Sequence, residues 1–462
     1  MKDIQLTVPA TYQPLTIATG IRCSARRTPD KTMFIEGEKR RTFAEFCQRI
    51  DRLQAHALGE LGLQFGQHAA VVGPNCIEFL EVVVGLSEVG IASATLSHRL
   101  NSVELADICD DARAEVLFAH ETCRATIAAA HFATIKQVIY FGDDYEQRLA
   151  NAPALAEAPR LAGEWDTFCI PYTSGTTGFP KGVMNPQLLT CSVRKHVDDY
   201  REPADIGTYL MMGPMYHAGP LGALRRLTGG RPMFVLKQFS PEGVLQVIQD
   251  NAITGTTMVP THFAKLLELP ADVRARYNLS SLKFLDHTGS SCPVAVKEAM
   301  INWVGPILVD RYGGTEAGTV CTITSPEWLQ YKGSAGKCLP RFTAHVVDDN
   351  DVEVPVGEVG RLYFIDHSGE GVKYLNAPEK TAAAHIRPGV FTLGDLGYVN
   401  EEGYVFVTGR TADTVVSGGV NLYPAEIERV LFDCALVRDA AVIGVADDVM
   451  GEVLFAYVVP HD

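Results

Sequence analysis

From residue 69 onward, short β-branched runs alternate with segments of helical period, and this alternation constrains the fold more than any other feature. Ala69-Ala70-Val71-Val72 reads as a buried strand closed by the turn residues Gly73-Pro74-Asn75. Residues 76–89 carry apolar side chains at 77, 79, 80, 83, 84 and 86, one face of a helix. A strand over 91–96, a helix over 102–111 and strands over 115–118 and 138–141 follow; the pattern returns at 232–236, 241–250 and 255–259. Strands joined through helices lie parallel, because the helix carries the chain back across the sheet face. At 462 residues the chain needs more than one hydrophobic core. The expectation is an α/β fold with a large N-terminal domain over 1–410. Two mostly parallel, helix-flanked sheets divide it at about 1–170 and 171–331. Short alternating segments such as 342–347 and 360–364, spaced by Gly, Pro and Asp, predict a small antiparallel β-subdomain over about 332–409. After Gly409-Arg410, a strand, a glycine turn and a helix over 425–431 begin a separate small α+β unit over 411–462.

Composition narrows the partners. A net charge of −15 argues against nucleic acid, and it requires local groups to attract any anionic ligand. Eleven cysteines without a C-x-x-C pair read as reduced core thiols. The most apolar long stretch, 79–96, is broken by Glu81 and Glu88, so no integral membrane segment is expected. The N-terminus lacks the apolar run of a signal peptide, and the chain is read as cytoplasmic.

The most specific chemistry lies in Thr173-Ser174-Gly175-Thr176-Thr177-Gly178-Phe179-Pro180-Lys181-Gly182-Val183. Three glycines, four hydroxyls and a lysine share this loop. Glycines let backbone N–H groups approach a ligand, hydroxyls add donors, and the lysine adds charge, which suits a polyphosphate. The Walker pattern does not fit, because Pro180 stands where its second glycine should be and Gly182 follows the lysine. A second segment, Asp310-Arg311-Tyr312-Gly313-Gly314-Thr315-Glu316, follows the apolar Ile307-Leu308-Val309 and is placed at a strand's carboxyl end, where open α/β sheets bind ligands. It offers an aromatic ring for a base, a hydroxyl for phosphate and a carboxylate for Mg²⁺. Four further segments are unremarkable alone: Tyr216-His217-Ala218-Gly219, Val259-Pro260-Thr261, Thr288-Gly289-Ser290-Ser291 and Gly394-Asp395-Leu396-Gly397-Tyr398. Each reads locally as a turn, a strand end or a satisfied side chain. Thr408-Gly409-Arg410 and Val416-Ser417-Gly418-Gly419 complete the set.

Together, from about residue 30 to the end, these motifs resemble in order and spacing the adenylate-forming superfamily of acyl-CoA synthetases, luciferases and peptide-synthetase adenylation domains. The connecting segments look most like fatty acyl-CoA synthetases. The resemblance implies ATP, Mg²⁺ and coenzyme A as cofactors and a small-molecule carboxylic acid as substrate, with a homodimer left open. It implies that Thr173, Ser174, Gly175, Thr176, Thr177, Gly178 and Lys181 cradle the phosphates, while Gly289, Ser290 and Ser291 lie along the adenine. Asp310, Tyr312 and Gly313 join the nucleotide site, Thr315 contacts phosphate, Glu316 binds the metal, Asp395 holds the ribose hydroxyls, and Arg410 also reaches the nucleotide. Tyr216, His217, Gly219, Val259, Pro260 and Gly314 fall at the acid pocket, with His217 at its mouth, and Gly418 and Gly419 along the pantetheine path. Thr315, Glu316, His217 and Lys181 are the expected catalytic set.

The implied reaction makes acyl-AMP and pyrophosphate, then acyl-CoA and AMP, from a fatty acid or a bulky, ring-bearing acid. A peptide-synthetase-type adenylation domain is one alternative. A nucleotide- or acyl-AMP-binding protein lacking adenylation activity is the other. Ala412 stands where relatives usually carry a charged hinge residue, and Gly409 where many have aspartate. The chain stops at Val458-Val459-Pro460-His461-Asp462, before the late lysine with which relatives drive adenylation. The unit over 411–462 is therefore expected to be a truncated lid, part of a longer protein.

Overall fold

The computed structural model describes residues 16–152, 159–173, 180–187, 207–417, 420–432, 434, 436–447 and 450–460. Its first sheet sets Gln137–Tyr140, Ala114–Ala119, His68–Val72, Ala92–Leu96 and Thr167–Thr173 side by side and parallel. The second sheet has nine strands. Its parallel centre runs from Thr32–Glu36 through Met233–Val235, Tyr209–Met211, Gly255–Met258 and Phe284–His287 to Leu308–Gly314. Antiparallel strands close both edges: Lys39–Thr42 on one side, Gly318–Thr324 and then Lys337–Cys338 on the other. A five-stranded antiparallel sheet over 342–410 and a four-stranded antiparallel sheet with the helix Pro424–Phe432 complete the architecture. The fold is thus α/β with mixed parallel sheets and a small antiparallel sheet.

Local sequence accounts for the elements. Helices Phe43–Gly59 and Ser102–Asp111 begin at Thr42 and Asn101, each in a capping box with a glutamate three residues on, which satisfies two orphan N–H groups at each end. Helix Ile77–Glu88 is buried on every side. Glu81 and Glu88 are not solvent breaks: Arg49 donates to Glu81 at 2.6 Å and Arg22 to Glu88 at 2.6 Å. Burial of such carboxylates is tolerable only with partners of this kind. Among the described residues no helix is long and apolar enough to cross a membrane.

Three features depart from the expected layout. The hairpin Thr32–Thr42, early in the chain, pairs with the second sheet rather than the first. The strand Lys181–Gly182, after the glycine loop, pairs back onto the first sheet. The two sheets therefore interleave in sequence instead of dividing near 170. Finally, the strand expected to end at Val309 runs on to Gly314, because Gly318–Thr324 pairs antiparallel along it.

Candidate active site

The glycine loop leaves and re-enters a paired ladder. Thr173 opposes Lys181 and Tyr172 opposes Gly182, so the loop's two ends are pinned together. Ser174, Gly175, Thr176, Thr177 and Gly178 lie outside the described residues. The exit strand is gripped from the far side by the segment around Tyr374. Met184 N–H donates to Lys373 C=O at 3.1 Å and Leu375 N–H to Gly182 C=O at 2.8 Å. Lys181 Nζ lies 5.2 Å from the centre of the Tyr374 ring, and the Tyr374 hydroxyl donates to Glu316 Oε1 at 3.0 Å. Burial, with Glu316 adding to it, raises the phenol pKa, so the hydroxyl keeps its proton and remains a donor.

Thr315 and Glu316 occupy the turn of the hairpin Leu308–Gly314/Gly318–Thr324. Gly313 is obligatory there: a Cβ on it would stand 1.9 Å from the Gly318 carbonyl oxygen. A Cβ on Gly314 would meet Glu316 Oε2 at 2.9 Å, so that glycine makes the space in which the carboxylate lies. Two residues back, Tyr312 packs on Phe364 of the five-stranded sheet, and its hydroxyl donates to Asp395 Oδ2 at 2.5 Å. Asp395 opposes Arg410 in register, with the guanidinium Nε 3.5 Å from its carboxylate. Burial raises the Asp395 carboxyl above its ordinary range, against the pull of Tyr312 and Arg410. Arg410 also faces a small cleft bounded by Tyr423, Pro424 and Glu428 of the C-terminal unit. Asp310 receives Lys297 Nζ at 2.8 Å, and His287 Nε2 lies 3.5 Å away. Burial holds His287 at about 4, hence neutral.

On the other side, Val259 and Gly289 meet. Gly289 has φ +93°, and its missing Cβ would stand 3.3 Å from Val259 Cγ1. Pro260 is buried at the first position of the helix Pro260–Leu267, where its lack of an N–H costs nothing. Ser290 and Ser291 are exposed beside Gly289. His217 precedes the helix Ala218–Gly222, and its ring centre is 4.5 Å from that of Tyr216. Partial desolvation lowers its imidazole pKa, so it is neutral at pH 7. Next to it, nothing lies within 4 Å of where a Gly219 side chain would begin. The segment is anchored by the buried Asn75, which accepts from Met215 N–H at 2.9 Å and donates to Gly213 C=O at 3.0 Å.

The structure therefore gathers the expected residues into three groups: Lys181 with Glu316 through Tyr374, Tyr312 with Asp395 and Arg410, and Val259 with Gly289. Gly418 and Gly419 lie outside the described residues. Sequence reasoning missed Tyr374, Lys297 and Asn75. Of these only Asn75, in a Gly-Pro-Asn turn, had a local signal, and that signal spoke of a turn.

This fold and this arrangement define an AMP-binding enzyme: that family matches residues 21–369, and the AMP-binding enzyme C-terminal domain matches residues 426–462. The chain belongs to this family, among the adenylate-forming CoA ligases. It is 31% identical to indoleacetate–CoA ligase of Aromatoleum aromaticum, over 94% of this chain and 86% of that protein. It is 30% identical to 2-succinylbenzoate–CoA ligase of Bacillus cereus, again over 94% and 86%. The structure of ATP-bound MatB from Rhodopseudomonas palustris superimposes with a TM-score of 0.86 at 26% identity, covering 97% of this chain and 89% of that one.

Proposed function

We propose that this chain joins a ring-bearing carboxylic acid to coenzyme A through an acyl adenylate, with the site residues in the following roles. The observation that carries the reading is the run of contacts from Lys181 through Tyr374 to Glu316 at one end and from Tyr312 through Asp395 to Arg410 at the other. Tyr312 and Glu316 of one hairpin join the two ends. Lys181 and Thr315 hold the phosphates, Asp395 accepts from the ribose hydroxyls, and Asp310 and the 289–291 segment flank the base.

Glu316 fits Mg²⁺. Among the described residues no cluster of three or more metal-ligating side chains exists, and Mg²⁺ is commonly held by one or two carboxylates completed by phosphates and water. Bound there, the ion would neutralise charge on the pyrophosphate leaving group. A carboxylate oxygen of the acid attacks the α-phosphorus, the bond to the bridging oxygen breaks, and pyrophosphate leaves. The thiolate of coenzyme A then attacks the acyl carbonyl and AMP departs with the bonding pair. Positioning and charge stabilisation supply most of the rate in such a site. Neutral His217 borders the entry of the acid without trapping it in an ion pair as an imidazolium would.

The ring-bearing class is supported by the relatives named for indoleacetate and succinylbenzoate. Pyrophosphate exchange into ATP across a panel of carboxylic acids tests the reading. Exchange that depends on a ring-bearing acid and falls sharply in Glu316→Gln is expected. Exchange with straight-chain fatty acids alone would overturn the substrate class, and exchange with no acid would overturn the activity.

A further inference from the structure

Tyr374 belongs to no motif that the sequence reading singled out, yet it sits between the two opposite charges of the phosphate end. Its backbone is held on both sides. Its N–H donates to Thr381 Oγ1 at 3.1 Å, its neighbours Lys373 and Leu375 bond the strand after Lys181, and Asn376 Nδ2 donates to Asp111 C=O at 2.7 Å. The main chain that carries the ring is therefore tied to the loop's exit strand, and the hydroxyl's bond to Glu316 orients the ring from its far end.

Two consequences follow from the side chain's geometry. A glutamate on a hairpin turn has three rotatable bonds, and the Tyr374 hydroxyl removes that freedom by fixing Oε1, which leaves Oε2 over Gly314. Meanwhile Lys181 and Glu316 are opposite charges converging on one place. A direct ion pair between them would spend both on each other. Tyr374 takes the ammonium toward its ring face, 5.2 Å from the centroid, and the carboxylate at its hydroxyl edge.

We propose that Tyr374 is the positioning residue of the phosphate end: it aims the Glu316 carboxylate at the metal and keeps Lys181 from pairing with it. The inference rests on the roles proposed above for Glu316 and Lys181.

The test is trinitrophenyl-ATP binding to the full chain, titrated with Mg²⁺ and repeated in EDTA. Tyr374→Phe keeps the ring and loses only the hydroxyl. Its half-saturating Mg²⁺ concentration rises about tenfold, the lower end of what losing the hydrogen-bond partner of a metal ligand costs, while binding in EDTA is unchanged. Tyr374→Leu lets Lys181 reach Glu316, so its binding weakens in EDTA as well. Melting curves confirm that both variants are folded. An unchanged Mg²⁺ dependence in Tyr374→Phe, beside a clear shift in Glu316→Gln, overturns the aiming role and leaves the site reading intact. Equal losses with and without metal in Tyr374→Phe overturn it too, as a merely structural effect. If Glu316→Gln itself leaves the Mg²⁺ dependence unmoved, the assignment of Glu316 fails and the inference fails with it.

Discussion

Asp366, at the end of the strand Gly360–Asp366, organises the loop that leads to Tyr374, and removing its charge is the sharpest test of that loop. Its carboxylate accepts five hydrogen bonds: from Arg341 Nε at 2.8 Å and Nη2 at 2.6 Å, from Ser368 N–H and Oγ at 2.9 and 2.7 Å, and from Gly371 N–H at 3.0 Å. Burial would raise this carboxyl, but Arg341 and Ser368 outweigh it and hold the group at about 2, against an ordinary 3.8. That difference is worth about 2.4 kcal/mol in favour of the charged form. Solvent at Arg341, whose side chain is 22% exposed, trims it to about 2 kcal/mol. Asp366→Asn keeps the shape but points an NH₂ group at donors, whichever way the amide turns.

Because a chain of several sheets does not unfold in one step, the readout must be local. Hydrogen exchange measured by mass spectrometry over residues 366–376 should quicken about 30-fold at pH 7, the equivalent of 2 kcal/mol. The sign with pH is set by the depressed carboxyl. The stabilisation is complete above about 4 and is lost as the pH falls toward 2. Exchange in Asp366→Asn within about threefold of the parent at pH 7 would refute the argument, since five donors would then be losing nothing.

Two other outcomes follow from the site. Gly313→Ala should cost about 3 kcal/mol, because the atoms its Cβ meets are backbone and cannot rotate aside; a parental melting temperature would contradict this. If Asp395 holds the ribose as proposed, ATP binding should fade on acidification at a pH above the ordinary 3.8 of an aspartate, since burial raises its carboxyl and the protonated form no longer accepts from two ribose hydroxyls. Binding measured across pH should lose this limb in Asp395→Asn, and an unaltered profile would remove Asp395 from the ribose.

Local chemistry made much of this legible. The strand–helix alternation placed helix Ser102–Asp111 at its observed bounds because Asn101 and Glu104 announce the start. The segment Asp310 to Glu316 was legible as residue types but not as shape. The sequence places it beyond the end of a strand at Val309, whereas strand pairing with Gly318–Thr324 carries it on as β structure. Long-range partners were out of reach. Tyr312 meets Asp395 across 83 residues and Glu316 meets Tyr374 across 58, and a lone tyrosine carries no periodicity or spacing to announce such a contact. Lys297 is similar. As a helix residue it reads as solvated, yet it is buried against Trp328 and Asp310.

The hairpin Thr32–Thr42 has a consequence for synthesis on the ribosome. Its strand pairs in parallel with Met233–Val235, and the flanking Lys31 bonds Gly230 from 199 residues away. At ordinary translation speeds its partner emerges about 10–40 s later. Throughout that interval Met33 and Phe34, fully buried in the finished protein, have no sheet to enter. The earliest β-strand among the described residues is thus among the later ones to be housed, and its neighbour Lys39-Arg40-Arg41, a run of cations on the edge strand, discourages other chains from pairing with it in the meantime.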